Sequence, residues 1–113
     1  MLTVEALRAW GADTEDGMRR CMNNEAFYLR LVDKAARDPS CDRLKEAVEA
    51  KDLDRAFELA HALKGVTANL SLTPLHKPVE EMTELLRSRT DTDYSALTAE
   101  MLARRDELLA LLD

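Results

Sequence analysis

The 113-residue chain predicts an all-α fold: an up-and-down antiparallel bundle of four helices with short additional helices at the N-terminus. Three observations lead there. Glycine and proline number three each, so turn formers are scarce among abundant Leu, Ala, Glu and Arg. Apolar residues recur at helical spacing through most of the sequence, and no window shows the alternation of a strand. Several long helical segments are joined by short connections, the pattern that stacks neighbours antiparallel. The length suits one domain with one core, so residues 1–113 are expected to form a single unit, with 1–22 as a helical cap and 24–113 as the bundle.

Breakers and caps mark the segments in order. Thr3 can cap a short helix through Trp10, which Gly11 ends. Asp13 can cap a second from Thr14 to about Met22, weakened by Gly17. Asn24 can start a third, where Phe27, Tyr28, Leu31, Val32 and Ala35 form a stripe. Asp38-Pro39 stops it, and Ser40 is expected to cap a fourth containing Leu44, Ala47 and Val48. Asp52 begins a long segment running to about Leu70. Thr73 precedes Pro74, which suits a first helical turn, and this helix continues to about Arg87, with Pro78 expected to delay or kink its start. Asp91 to Asp93 caps a last helix bearing Tyr94, Leu97, Met101, Leu108 and Leu112.

Composition removes several function classes. Hydrophobic residues make up 46% and charged residues 34%, as in an ordinary globular protein. The net charge of −6 argues against nucleic acid or an anionic membrane as main partner. Nothing approaches the ~20 apolar residues of a membrane span. The first twenty residues carry Glu5, Asp13, Glu15 and Asp16 and no long apolar run, so no signal peptide is expected, and a cytoplasmic location follows. Met1 and the compact length lean towards a free-standing protein. Cys21 and Cys41 lack metal-ligand spacing and are expected to be free thiols.

The most informative run is His61-Ala62-Leu63-Lys64-Gly65, inside the long fifth segment. Positions i+3 and i+4 lie one turn along the same helix face, so Lys64 and Gly65 stand beside His61. Glycine in a helix interior costs about 1 kcal/mol relative to alanine; above a histidine, the plainest reason for it is access. At about 100° per residue, Leu53, Ala56, Ala60, Leu63, Thr67 and Leu70 form the core-facing arc. His61 falls beyond its edge, among Asp54, Phe57, Lys64, Gly65 and Ala68, so its ring is expected at the solvent flank. An exposed imidazole, with a reference pKa near 6.5, is largely neutral and nucleophilic at cellular pH. It can accept a phosphoryl group bringing roughly two negative charges, which the Lys64 ammonium would help to hold. The sequence has no glycine-rich phosphate loop and no carboxylate cluster suited to Mg²⁺. A partner would have to supply both metal and phosphate.

These residues resemble the histidine-containing phosphotransfer (HPt) domain family, the small helical carriers of bacterial multistep phosphorelays. The similarity rests on Ala60 to Leu70, on Gly11 through Met22, on Phe27 to Leu31 ahead of Asp38-Pro39, and on Leu72 to Leu86. It implies a four-helix bundle with His61 as phosphoacceptor, Lys64 stabilising the phosphoryl group and Gly65 clearing space for a receiver domain. Phe57, Glu58 and Ala68 are then the expected partner-contacting residues. It also implies no kinase or phosphatase activity and no cofactor of its own, with Mg²⁺ supplied by the receiver. The expected partners are response-regulator receiver domains and a hybrid sensor histidine kinase, met as a monomer. Two departures stand out. The family often has glycine ten residues after the histidine, here Ser71. It often has glutamine or glutamate on the next helix to orient the ring, and the position near it here is Thr83.

Two other readings compete. A helical adaptor could keep the fold and bind a signalling partner without carrying phosphate, although His61, Lys64 and Gly65 are all retained. A metal site of His61, His76 and a cysteine fits no common ligand spacing. His76 reads as a surface residue. Arg104-Arg105, Glu80-Glu81 and Arg87-Ser88-Arg89 read as solvated faces, and Trp10 as packing the N-terminal helices onto the bundle.

Overall fold

The computed structural model describes all 113 residues, and the fold is all-α. Seven helices follow in order: α1 (Val4–Trp10), α2 (Thr14–Arg20), α3 (Glu25–Arg37), α4 (Ser40–Glu49), α5 (Leu53–Asn69), α6 (Thr73–Arg87) and α7 (Ser95–Ala110). Side-chain caps start four of them: Thr3, Asp13, Asn24 and Asp52 each accept a hydrogen bond from the backbone N–H three residues on.

Three expected starts differ in detail, those of α4, α6 and α7, the last with Tyr94 at the cap position and Asp93 before it accepting the Ser95 N–H at 2.9 Å. Ser40 is the first residue of α4 and not its cap: Pro39 holds the cap position without a side-chain bond, and Asp38 before it accepts the Ser40 N–H at 2.8 Å. Thr73 is likewise already inside α6, with Leu72 at the cap position. Pro78 neither delays nor ends α6, which runs through it with the proline buried. Its ring counts there as packing, although a helix interior loses one hydrogen bond at a proline.

α4, α5, α6 and α7 are mutual neighbours in a closed cycle, since α5 packs on α4 and α6 and α7 packs on α6 and α4. Between them lies an apolar cluster that includes Leu44, Ala56, Ala60, Leu63, Val79, Met82, Leu86 and Met101. A second cluster, with Leu7, Tyr28, Val32, Ala36, Leu72 and Leu108, joins α1 and α3 to the α5–α6 turn and the end of α7. Trp10 packs against both clusters and donates its indole N–H to Glu107 at 3.0 Å, so it does attach the N-terminal helices. The two cysteines are buried and free, Cys21 in one cluster and Cys41 in the other. Burial pushes the Cys41 thiol up to about 11.

The α5–α6 turn is the meeting point of the two halves. Tyr28 Oη donates to the Leu70 carbonyl at 2.9 Å, and the Asp13 N–H to the Ser71 carbonyl at 3.0 Å. Ser71 has φ 55, in the left-handed region that favours glycine. That explains the glycine usual at this place. Here the serine hydroxyl donates to Asp16 at 2.6 Å, which links α2 to the turn. Arg105 is not a solvated residue. Its side chain is only 12% exposed and donates two hydrogen bonds to Asp42 at 3.1 Å, fastening α7 to α4.

Candidate functional site

The site is built on the solvent flank of α5. The core arc anticipated from periodicity is the buried one: Ala56, Ala60, Leu63 and Thr67 face inward. That orientation leaves His61 and Gly65 exposed, with Lys64 and Ala68 half-buried beside them. A Cβ placed on Gly65 would meet nothing within 4 Å. No neighbour inside the protein accounts for this glycine.

The imidazole of His61 stacks on the Phe57 ring one turn earlier, with centroids 5.6 Å apart and planes at 25°. Phe57 is half-buried against the main cluster. Two guanidinium groups from the end of α6 lie over its ring, Arg87 at 5.3 Å and Arg89 at 4.7 Å from the centroid. Arg89 is firmly placed. It donates to Asp54 at 2.7 Å and to the Leu86 carbonyl at 2.8 Å, from a backbone with φ 51 just past the helix end. Lys64 Nζ contacts Glu84 on α6 at 3.2 Å, and Arg87 donates to both oxygens of the same carboxylate at 3.3 and 3.4 Å. These bonds, from Arg87 first and Lys64 second, hold the Glu84 carboxyl below its ordinary range. An exposed nucleophilic ring, an ammonium one turn away and two nearby guanidiniums make a site suited to a phosphoryl group.

A family model for the Hpt domain matches residues 34–113. The chain belongs to the Hpt domain family. Hpt domains are histidine phosphotransfer carriers of two-component phosphorelays, and they work with receiver domains and histidine kinases. The match covers the end of α3 and all of α4 to α7, so the His61 motif lies inside it and α1 and α2 lie before it. No curated protein and no solved structure matched the chain.

Within this Hpt domain the anticipated site residues separate clearly. His61, Lys64, Gly65, Phe57 and Ala68 share the flank of α5, and Glu58 is exposed on the same helix. Thr83 does not belong to the site. It is fully buried, and its hydroxyl donates to the Val79 carbonyl at 2.7 Å, one turn back in its own helix. A threonine in a helix readily satisfies itself this way, so it cannot orient the imidazole of His61. The contact the ring does make is its stacking on Phe57. His76, expected at the surface, is only 22% exposed, with one ring nitrogen 2.9 Å from Thr67 Oγ1 and the other 3.0 Å from Glu80. It is a link between α5 and α6.

Arg87, Arg89 and Glu84 were the residues that sequence reasoning missed. Two of them read as a solvated charge run, and nothing in a one-dimensional pattern says that the end of α6 lies across Phe57. The only available signal was Asp54, one of the charged wheel neighbours of His61, which turns out to bind Arg89. No cluster of three or more His, Cys, Asp or Glu side chains is placed to hold a metal ion. No helix is long and apolar enough to cross a membrane.

Proposed function

We propose that this Hpt domain accepts a phosphoryl group on His61 from a receiver-domain aspartyl phosphate and passes it to another receiver domain. The observation that carries the reading is the exposed His61 ring beside a Gly65 face that nothing in the protein fills, with Lys64 one turn on. In the transfer, the lone pair of the unprotonated ring nitrogen attacks phosphorus. The P–O bond to the aspartyl group breaks, its electron pair stays on the carboxylate, and the proton on the other ring nitrogen is free to leave to solvent. Lys64 stabilises the phosphoryl oxygens, Gly65 admits the receiver, and Phe57, Glu58 and Ala68 border the contact. The Mg²⁺ belongs to the receiver, and a hybrid sensor kinase stands upstream.

The domain acts as a cytoplasmic monomer without kinase or phosphatase activity of its own. Its α4 to α7 run up and down as an antiparallel four-helix bundle, with residues 1–22 as a cap on a single domain spanning 1–113.

Incubation with a phosphorylated receiver and Mg²⁺ should label the protein with acid-labile, alkali-stable phosphate. His61→Gln should abolish the label and His76→Gln should not, while ATP and Mg²⁺ alone should give none. Label surviving in His61→Gln would sink the assignment. Receiver binding without label would favour a phosphate-free adaptor.

A further inference from the structure

None of the cations near His61 stands free. Arg89 is committed to Asp54 and to the Leu86 and Arg87 carbonyls. Lys64 and Arg87 share one carboxylate, that of Glu84. The two sharers differ in kind. Arg87 reaches both carboxylate oxygens with a planar fork from the same helix as Glu84, whereas Lys64 crosses from α5 on a flexible stem. We propose that Glu84 is a positioning residue that acts through Lys64: it holds the ammonium in an ion pair while His61 is unmodified and yields it when the ring carries phosphate. This deepens the carrier reading and rests on it.

The hand-over follows from charge and exposure. A phosphoryl group on the ring adds roughly two negative charges within one helical turn of the Lys64 backbone. The Lys64–Glu84 pair is open to solvent, with side chains 30% and 53% exposed, so it is weak and exchanges readily. Arg87 is what makes release tolerable. With Lys64 gone, Glu84 keeps its two hydrogen bonds from Arg87, and its carboxylate does not face the phosphoryl group unpaired. Glu84 therefore competes with phosphate for Lys64 and sets how much of the ammonium an incoming phosphate meets.

Phosphoramidate tests this without a receiver. The His61 ring nitrogen bonds to phosphorus as the P–N bond breaks and ammonia leaves with a proton from solvent. The labelling rate is followed by ³¹P NMR in the full-length wild type, Glu84→Gln, Lys64→Ala and the double variant, with Glu81→Gln, at an exposed position on the same helix, as a control for plain loss of one negative charge. Glu84→Gln should label about two- to fivefold faster than wild type, the range an exposed pair permits. In the Lys64→Ala background the same change should give no more than the Glu81→Gln control. Equal acceleration in both backgrounds, or none in either, would overturn the proposal. Wild type that takes phosphate from phosphoramidate and not from a receiver refutes the carrier reading while the coupling still decides the role of Glu84. Wild type labelled by neither refutes both.

Discussion

Gly17 in α2 and Gly65 in α5 both lie inside helices, where glycine is locally unfavourable, yet their surroundings are opposite. A Cβ on Gly17 would lie 2.6 to 2.7 Å from three atoms of the Tyr28 ring and hydroxyl. Tyr28 cannot withdraw at low cost, because it is fully buried and its hydroxyl is bonded to the Leu70 carbonyl. A Cβ on Gly65 would meet open space. The first glycine is explained by the protein's own interior. The second has no counterpart inside the protein, which is what the proposed receiver access requires.

This contrast can be broken most forcefully at α2. Gly17→Ala should destabilise the protein by about 1–3 kcal/mol, the usual cost of overpacking. For a domain of this size each kcal/mol moves the thermal midpoint by roughly 4 °C, so calorimetry should resolve the loss easily. An unchanged midpoint would mean that Tyr28 is not fixed where its hydrogen bond places it.

A smaller change of opposite sign is expected at Gly65. Gly65→Ala should leave stability unchanged or raise it by up to about 1 kcal/mol, because alanine is the better helix former and has space. A destabilised Gly65→Ala would assign this glycine to the fold as well, and the two regions would no longer differ.

On the functional side, Lys64→Ala should slow phosphotransfer or shift its equilibrium about severalfold without abolishing it. The ammonium acts through an exposed charge interaction, typically worth 1 kcal/mol or less. Transfer assays on a variant with unchanged helicity would measure this. Complete loss would give Lys64 a more direct part than electrostatic support.

The smallest effect should appear at the turn that joins the two halves. The hydrogen bond from Ser71, foremost among its causes, holds the Asp16 carboxyl below its ordinary range. A depressed folded value makes this contribution complete above the unfolded aspartate range, about 3.9. It is lost as pH falls through the folded value. The stability difference between wild type and Ser71→Ala should therefore be constant near neutrality and shrink in acid below about pH 4. A difference that grows in acid would have the wrong sign for this link.

How much of this was legible in the sequence depends on how many elements a feature needs. His61, Lys64 and Gly65 sit on one uninterrupted helix, so the period of α5 alone gave their common face and its exposure. The core arc of Ala56, Ala60, Leu63 and Thr67 was legible for the same reason. Thr83 and His76 were misjudged because their partners depend on local hydrogen-bonding choices and on the α5–α6 register. Arg87 and Arg89 reach the site through the packing of α6 on α5, and for Arg89 through a left-handed backbone at the helix end. Ser71 belongs here too. Its departure from glycine was visible, but its compensation by Asp16 lies 55 residues away in sequence.

The most direct test of the central claim, that the Gly65 face is kept open for a partner, is Gly65→Leu, with thermal unfolding and receiver-dependent phosphotransfer measured on the same samples. A folded helical protein with near wild-type stability and blocked transfer is the predicted result. An unfolded domain, or normal transfer past the leucine side chain, would contradict it.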